Sequence, residues 1–303
     1  MAQDDGCPAD DRRFYKYMSR ATGRVVLENR TLRWSTPATL NDPFDNQFDL
    51  HVDIDRNVVK PMTMQRLWEG YAGEHPAPIG NVLGVGLRIL RDRVRGLTRE
   101  QFEQHFSDVV DEGLDRGDRL LPELQDQLRP HAAQHKLLCL STTATSTLMW
   151  AYYAEQHQGV VASFKSVPGV DSPWPAGRPV QYQPDMPRLF DANFLADMMS
   201  GRASMNVETI MERLVFTKSA EWEHEQEWRI WTGVGRNAAA TYEDIRFNAL
   251  ELDYLIVGCR MPQADRVAFG RLLGQHYPHA AIWEVARRER EFDLEVRPLL
   301  LAA

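Results

Sequence analysis

The sequence predicts an α+β fold: a mixed or antiparallel central sheet with flanking helices and a helical insertion. Short apolar or alternating runs of strand length recur along the chain. The stretch from Pro61 to Gln134 instead repeats its apolar residues three and four apart, the period of a helix. The two kinds of segment follow one another without the regular alternation that a parallel sheet requires.

Taken in order, Arg13–Tyr17 (RFYKY) alternates apolar and polar residues like a short strand, and Val25–Glu28 looks like the start of a helix. Arg30–Ser35 (RTLRWS) is a second strand that runs into TPATLNDPFD, where Asn41-Asp42-Pro43 forces a sharp bend. The helical insertion, about residues 61–134, contains MQRLWEGY, LRILRDRVRGL, REQFEQHFSDVVDEGL and LLPELQDQL. Leu137–Ser141 reads as a buried strand, Leu148–Gln156 as a short helix and Gly159–Phe164 as another buried strand. An edge strand at Arg178–Tyr182 and helix over Asp191–Val215 come next. Glu227–Thr232 (EWRIWT) has strand character, with Trp228 and Ile230 on one side and Glu227 and Arg229 on the other. A core strand within Ala249–Gly258, a helix at Gln263–His276 and a last strand at Ala280–Val285 complete the set. Residues 1–12 read as a disordered lead and residues 13–303 as one domain carrying the insertion.

Composition narrows the function classes. The net charge is −8, which favours solubility and argues against general binding to phosphate backbones or anionic membranes. No apolar run approaches the ~20 residues that cross a bilayer, and the acidic start MAQDDGCPADDRR is unlike a secretory signal. Cys7, Cys139 and Cys259 have no paired spacing, so they support neither a disulfide framework nor a zinc site. The expected compartment is the reducing cytoplasm. Glycine-rich phosphate loops, HExxH and GxSxG are absent, and no metal ligand set is predicted.

Four clusters carry candidate chemistry. RFYKY is an edge strand with snorkelling side chains, or a strand that offers Lys16 or a tyrosine to an anion or a ring. Asn41-Asp42-Pro43-Phe44-Asp45 caps a following helix, or binds ribose hydroxyls, or orients another side chain. In Glu221-Trp-Glu-His-Glu-Gln-Glu-Trp-Arg229, a strand extended back two residues would put Glu225, Glu227 and Arg229 on one face. Neighbouring carboxylates raise each other's pKa and Arg229 opposes the rise. The run is a solvated acidic end, or a carboxylate held beside tryptophans as a general base or an anchor for sugar hydroxyls. Ser141–Tyr153 ends a buried strand in hydroxyls and sets Trp150, Tyr152 and Tyr153 on a short helix, as core or as a stacking surface for a planar ring.

Read together, FYKY, LRWSTPATLNDPFD, LCLSTTATSTLMWAYYAEQHQGVVASF and EWEHEQEWRIW, in this order, resemble the bacterial domain-of-unknown-function family 2971. The resemblance runs from Phe14 to about Pro298 and is weakest across the helical insertion. A second similarity is to NAD-dependent ADP-ribosyltransferases related to the toxins that modify DNA and RNA. It implies an ADP-ribosyltransferase-like fold and an enzyme, a toxin or phage-defence effector, that takes NAD as substrate. It casts Glu227 as the catalytic carboxylate with Glu225 and Arg229 beside it, and Lys16, Tyr17, Ser35, Asn41, Asp42, Trp150 and Tyr153 as the residues that hold NAD. The first strand departs from that pattern, having Lys16 or Tyr17 where a His or Arg would stand. The implied partners are a nucleotide or small-molecule substrate, a macromolecular acceptor and an antitoxin or defence partner, with no membrane. Two other readings stay open: a non-catalytic sensor module that binds a nucleotide or a protein, and a nuclease that holds magnesium with Asp42, Asp45 and Glu227.

Overall fold

The computed structural model describes residues 12–45, 55–75, 81–188, 190–204 and 207–299. Its strands and helices open with β1 (Arg13–Met18), α1 (Arg20–Asn29) and β2 (Thr31–Ser35). Three helices come after them, α2 (Arg56–Ala72), α3 (Val82–Arg93) and α4 (Arg99–Gln134). The middle of the chain contributes β3 (Lys136–Ser141), α5 (Thr147–Tyr153), β4 (Val160–Lys165), β5 (Arg178–Pro179) and β6 (Gln181–Gln183). Then come α6 (Ala192–Met199), α7 (Val207–Val215), β7 (Thr217–Ser219), β8 (Glu227–Thr232) and β9 (Tyr242–Arg246). The last elements are β10 (Leu252–Val257), α8 (Gln263–His276), β11 (Ala281–Arg287) and β12 (Leu294–Pro298). The lead expected to be disordered lies outside the described residues, apart from Arg12.

The chain divides into two compact units: residues 1–47, 133–184 and 216–303 form one, and residues 48–132 and 185–215 the other. The second unit takes in most of the expected insertion together with a further piece that carries α6 and α7.

The first unit is built on a mixed sheet in the order β12-β11-β10-β4-β1-β3-β2-β9, with β8 running along β3 and β5 along β8. Among the described residues, only β10 and β11 pair in parallel within it. The α+β expectation, with a mixed central sheet and flanking helices, is what is found. One face of the sheet packs Phe14, Leu138, Leu140, Phe164, Ile230 and Leu255 against Val26 and Leu27 of α1 and Phe269 and Leu273 of α8. Helix α1 starts earlier than its apolar pattern suggested because the Ser19 hydroxyl accepts from the Thr22 amide and caps it. Gly23 in its second turn marks a close approach: a Cβ there would lie 2.3 Å from Val160 Cγ2 of β4. The other face packs Tyr17, Val161, Ile256 and Val285 against Met149 and Trp150 of α5.

The helical unit has its own core of Val59, Met64, Leu67, Tyr71, Leu87, Phe102, Val110 and Leu114. Phe102 and Phe106 stack there with ring centres 4.4 Å apart. Asp55 caps α2, whose first turn precedes the expected start at Pro61.

Several boundaries differ from expectation for identifiable reasons. The predicted helix over Asp191–Val215 is two helices. The edge strand Arg178–Tyr182 divides: β5 pairs with β8, while β6 pairs in parallel with β7. Helix α5 stops at Tyr153 because Glu155, Gln156 and His157 take left-handed φ values of 50°, 54° and 68°.

Candidate functional site

Strand β8 is preceded by a 3-10 turn, Ala220–Glu225, and then by Gln226 at φ 45°. A non-glycine residue in this region stores about 1–3 kcal/mol of strain. The reversal replaces the straight strand extension expected back to Glu225: a left-handed residue cannot continue the ladder. Glu225 is nevertheless brought beside Glu227, because Ser141 Oγ donates to the Glu225 carbonyl at 2.6 Å and the Thr142 amide donates to the Gln226 carbonyl.

Along β8 itself, Trp228 and Ile230 pack into the core as the alternation predicted, while Glu227 and Arg229 point to the opposite face. Arg229 is fully buried and bidentate on two carboxylates. Its guanidinium reaches Asp45 Oδ1 and Oδ2 at 2.8 and 2.5 Å, and Glu227 Oε1 and Oε2 at 2.8 and 2.9 Å. Lys218 of β7 completes the cluster, with Nζ at 2.6 Å from Glu225, 3.2 Å from Glu227 and 3.5 Å from Asp45. Tyr153 Oη donates to Glu225 Oε1 at 2.5 Å and accepts from Asn41 Nδ2 at 2.6 Å. The Glu227 amide donates to Tyr182 Oη at 2.7 Å.

Charge balance decides the protonation states. Three buried carboxylates face two buried cations, and Asp45 and Glu227 are shifted in opposite directions. Burial alone would push the Glu227 carboxyl up, but Arg229 and then Lys218 outweigh it and hold it at about 2. Burial pushes Asp45 up by more than Arg229 takes back. Lys218 is pushed down by burial and up by Glu227, Glu225 and Asp45, which prevail, so it stays charged. Burial, then Glu225, pushes the Tyr153 hydroxyl up. Cys139 is likewise pushed up, by burial first and Glu227 second, which makes it an inert thiol.

These groups border a cavity of about 250 Å³. Lys16, Tyr17, Asn41, Tyr153, Glu225 and Glu227, all named from sequence, line it. Lys16 Nζ donates to the Cys139 carbonyl at 2.7 Å, and Tyr17 Oη to the Thr143 carbonyl at 2.9 Å. Arg229 stands behind the lining and fixes Glu227.

Three further expected residues are not in the lining. Trp150 is fully buried core and spends its indole N–H on the Ala144 carbonyl at 2.8 Å. Asp42 turns back to accept from the Phe44 amide at 2.9 Å, shaping the bend. Ser35 sits in the β2 ladder opposite Leu137 and Tyr242.

Two contributors were missed. Lys218 had only a weak signal, a lone cation in the apolar run VFTKSA, and Tyr182 had none. Lys218 also bears on the magnesium alternative. Its ammonium sits among Asp45, Glu225 and Glu227, where a divalent cation would need to be, and Asp42 is absent from the set. That donor set does not fit the ion. Among the described residues, no group of three or more His, Cys, Asp or Glu is placed to hold a metal, and no helix is long and apolar enough to cross a membrane.

Comparison with protein-family models, curated proteins and solved structures finds no match. No solved structure supports the expected ADP-ribosyltransferase-like fold.

Proposed function

We propose that the chain is an NAD-consuming enzyme of the ADP-ribosyltransferase type, with Glu227 as its catalytic carboxylate. The observation that carries this reading is the convergence of Lys16, Asn41, Tyr153, Glu225 and Glu227 on one cavity. All four sequence blocks that resemble family 2971 contribute lining residues, which supports membership of that family.

Breaking the nicotinamide–ribose bond leaves positive charge at the anomeric carbon while nicotinamide departs neutral. An acceptor then bonds to that carbon and gives up a proton. A carboxyl held at about 2 is fully ionised at neutral pH. Such a group is too acidic for an efficient general base, so the role of Glu227 is electrostatic. Arg229 holds both of its oxygens in place before reaction, which is the preorganisation that makes such charge stabilisation effective. Glu227 borders the cavity while Oε1 accepts from Arg229 Nε, and a carboxylate oxygen has a second lone pair to offer a ribose hydroxyl. The cavity is smaller than the ~300–1,000 Å³ typical of ligand pockets, so it takes the nicotinamide ribose and leaves the adenylate outside. Lys16 on the wall suits the neighbouring phosphate.

In this reading the protein is a cytoplasmic toxin or phage-defence effector with a macromolecular acceptor and an antitoxin or defence partner. The test is incubation with adenylate-labelled NAD and cell lysate. Wild type should transfer label, and Glu227→Gln should lose at least ~100-fold in rate, as loss of one preorganised charge contact does. Equal labelling removes Glu227 from the role.

A second reading, a non-catalytic nucleotide or protein sensor, is favoured by the pairing of every charged group in the cluster. A ligand at 100 times its dissociation constant adds about 2.7 kcal/mol to stability. Thermal stabilisation by a nucleotide that is lost in Asn41→Ala, without nicotinamide release, would select the sensor.

A further inference from the structure

A second cavity, of about 490 Å³, lies in the same unit between the left-handed turn at His157, the loop after β10 and the β11–β12 hairpin tip. It shares no lining residue with the Glu227 cavity.

Three features of this cavity are unexplained by the fold. Arg260 and Arg287 both line it, and neither side chain has an ion pair or hydrogen bond among the described residues. Arginines that hold structure find partners, as Arg266 does on Glu284 and Arg20 does on Glu155. Next, His157 Nδ1 is buried without a hydrogen-bond partner. The ring is stacked 6.4 Å above Trp150 at 11°, so it cannot swing out to water without losing that contact. The turn that sets it there has three successive left-handed residues, Glu155, Gln156 and His157. Strain of this kind gathers at sites of function. Finally, Phe292 at the hairpin tip is fully exposed on the rim of the cavity. An aromatic ring presented so completely to water gains nothing for the fold.

We infer that this cavity is a nucleotide site: Arg260 and Arg287 take the phosphates of a nucleoside diphosphate, His157 forms part of the wall beside them, and Phe292 stacks on its base. The chemistry is that of guanidinium pairing with phosphate and ring stacking. The cavity volume falls within the range of small-molecule pockets. A nucleic-acid strand fits less well. Arg288 is neutralised by Glu291 and Asp293, Glu289 adds a further carboxylate, and the whole chain carries −8. The surroundings admit one compact anion and repel a polyanion.

The test is calorimetric titration of the full chain with ADP, and separately with pyrophosphate and with adenosine. The expected result is saturable ADP binding that weakens at least tenfold in the Arg260→Ser/Arg287→Ser double variant, about 1.4 kcal/mol. Phe292→Ala should weaken ADP but not pyrophosphate, and Glu227→Gln should leave ADP binding unchanged. All these residues but Glu227 are exposed or on the rim, and circular dichroism checks that each variant is folded. No saturable heat with millimolar ADP overturns the proposal. So does ADP binding that survives the double arginine variant, or that is lost instead in Glu227→Gln.

Discussion

At the scale of single residues, the molecule's most consequential choice is to bury five charges together. Breaking one buried ion pair leaves the partner stranded in low dielectric, at about 3–5 kcal/mol. The sequence tolerates this because each cation has two or more partners: Arg229 spans Asp45 and Glu227, and Lys218 reaches Asp45, Glu225 and Glu227. The pH consequence follows from the depressed carboxyl. Glu227 ordinarily ionises at 4.5 and is held here at about 2. A lowered folded-state value stabilises above the unfolded value and is lost as pH falls through the folded one. The contribution, roughly 3 kcal/mol, should therefore disappear between about pH 4.5 and 2. Asp45, pushed up by burial, acts in the opposite sense: its contribution is complete at acid pH and is lost as pH rises. Urea unfolding across this range should show Glu227→Gln less stable than wild type at neutral pH, with the two converging in acid. A gap that stays constant with pH would show that the carboxyl is not depressed.

At the scale of elements, the site depends on how β8 begins. Gln226 in the left-handed region ends the 3-10 turn and swings Glu225 into the cavity. Glycine adopts this conformation freely, and proline cannot. Gln226→Gly should fold with stability within ~1 kcal/mol of wild type, whereas Gln226→Pro should lose the Glu225–Lys218 pair and be destabilised by about 3 kcal/mol or more. Denaturant midpoints check both; equal midpoints would mean the turn does not set the site.

The same scale shows what could be read from the residues and what could not. Strands β3 and β4 were legible because each carries an apolar run, LLCL and VVA, and α8 because its ends coincide with its apolar period. Strands β7, β9 and β12 were not: TKS is three residues long, and YEDIR and LEVRP have strand character only once a neighbour supplies a ladder. The left-handed residues that end α5 and begin β8 are Glu, Gln and His, which carry no glycine signal.

At the scale of the whole molecule, the candidate site joins residues that are far apart in sequence. Lys16, Asn41 and Tyr153 were identifiable as polar or aromatic outliers in otherwise structural runs, and the chain does bring them to Glu227. Lys218 escaped notice because its function exists only after β7 has been placed against the turn before β8. Trp150 and Asp42 were misread for the complementary reason. Their groups are consumed by local partners, the Ala144 carbonyl and the Phe44 amide, and a sequence does not show which partners a side chain has already found.

Local sequence and assembly together therefore set the ionisation of Glu227: Arg229 stands two residues along β8, while Lys218 comes from β7 and burial from the packed unit. In an unfolded chain its carboxyl would titrate at its ordinary value of 4.5. In the folded protein Arg229 and Lys218 should hold it at about 2. The most direct test is carboxyl-detected NMR of protein labelled with 13C-glutamate, with Glu227→Gln used to assign the resonance. A Glu227 signal that stays in its ionised position down to about pH 3 is the predicted result. Titration in the ordinary carboxylate range, with the protein still folded, would contradict the fixed anion and the electrostatic role built on it.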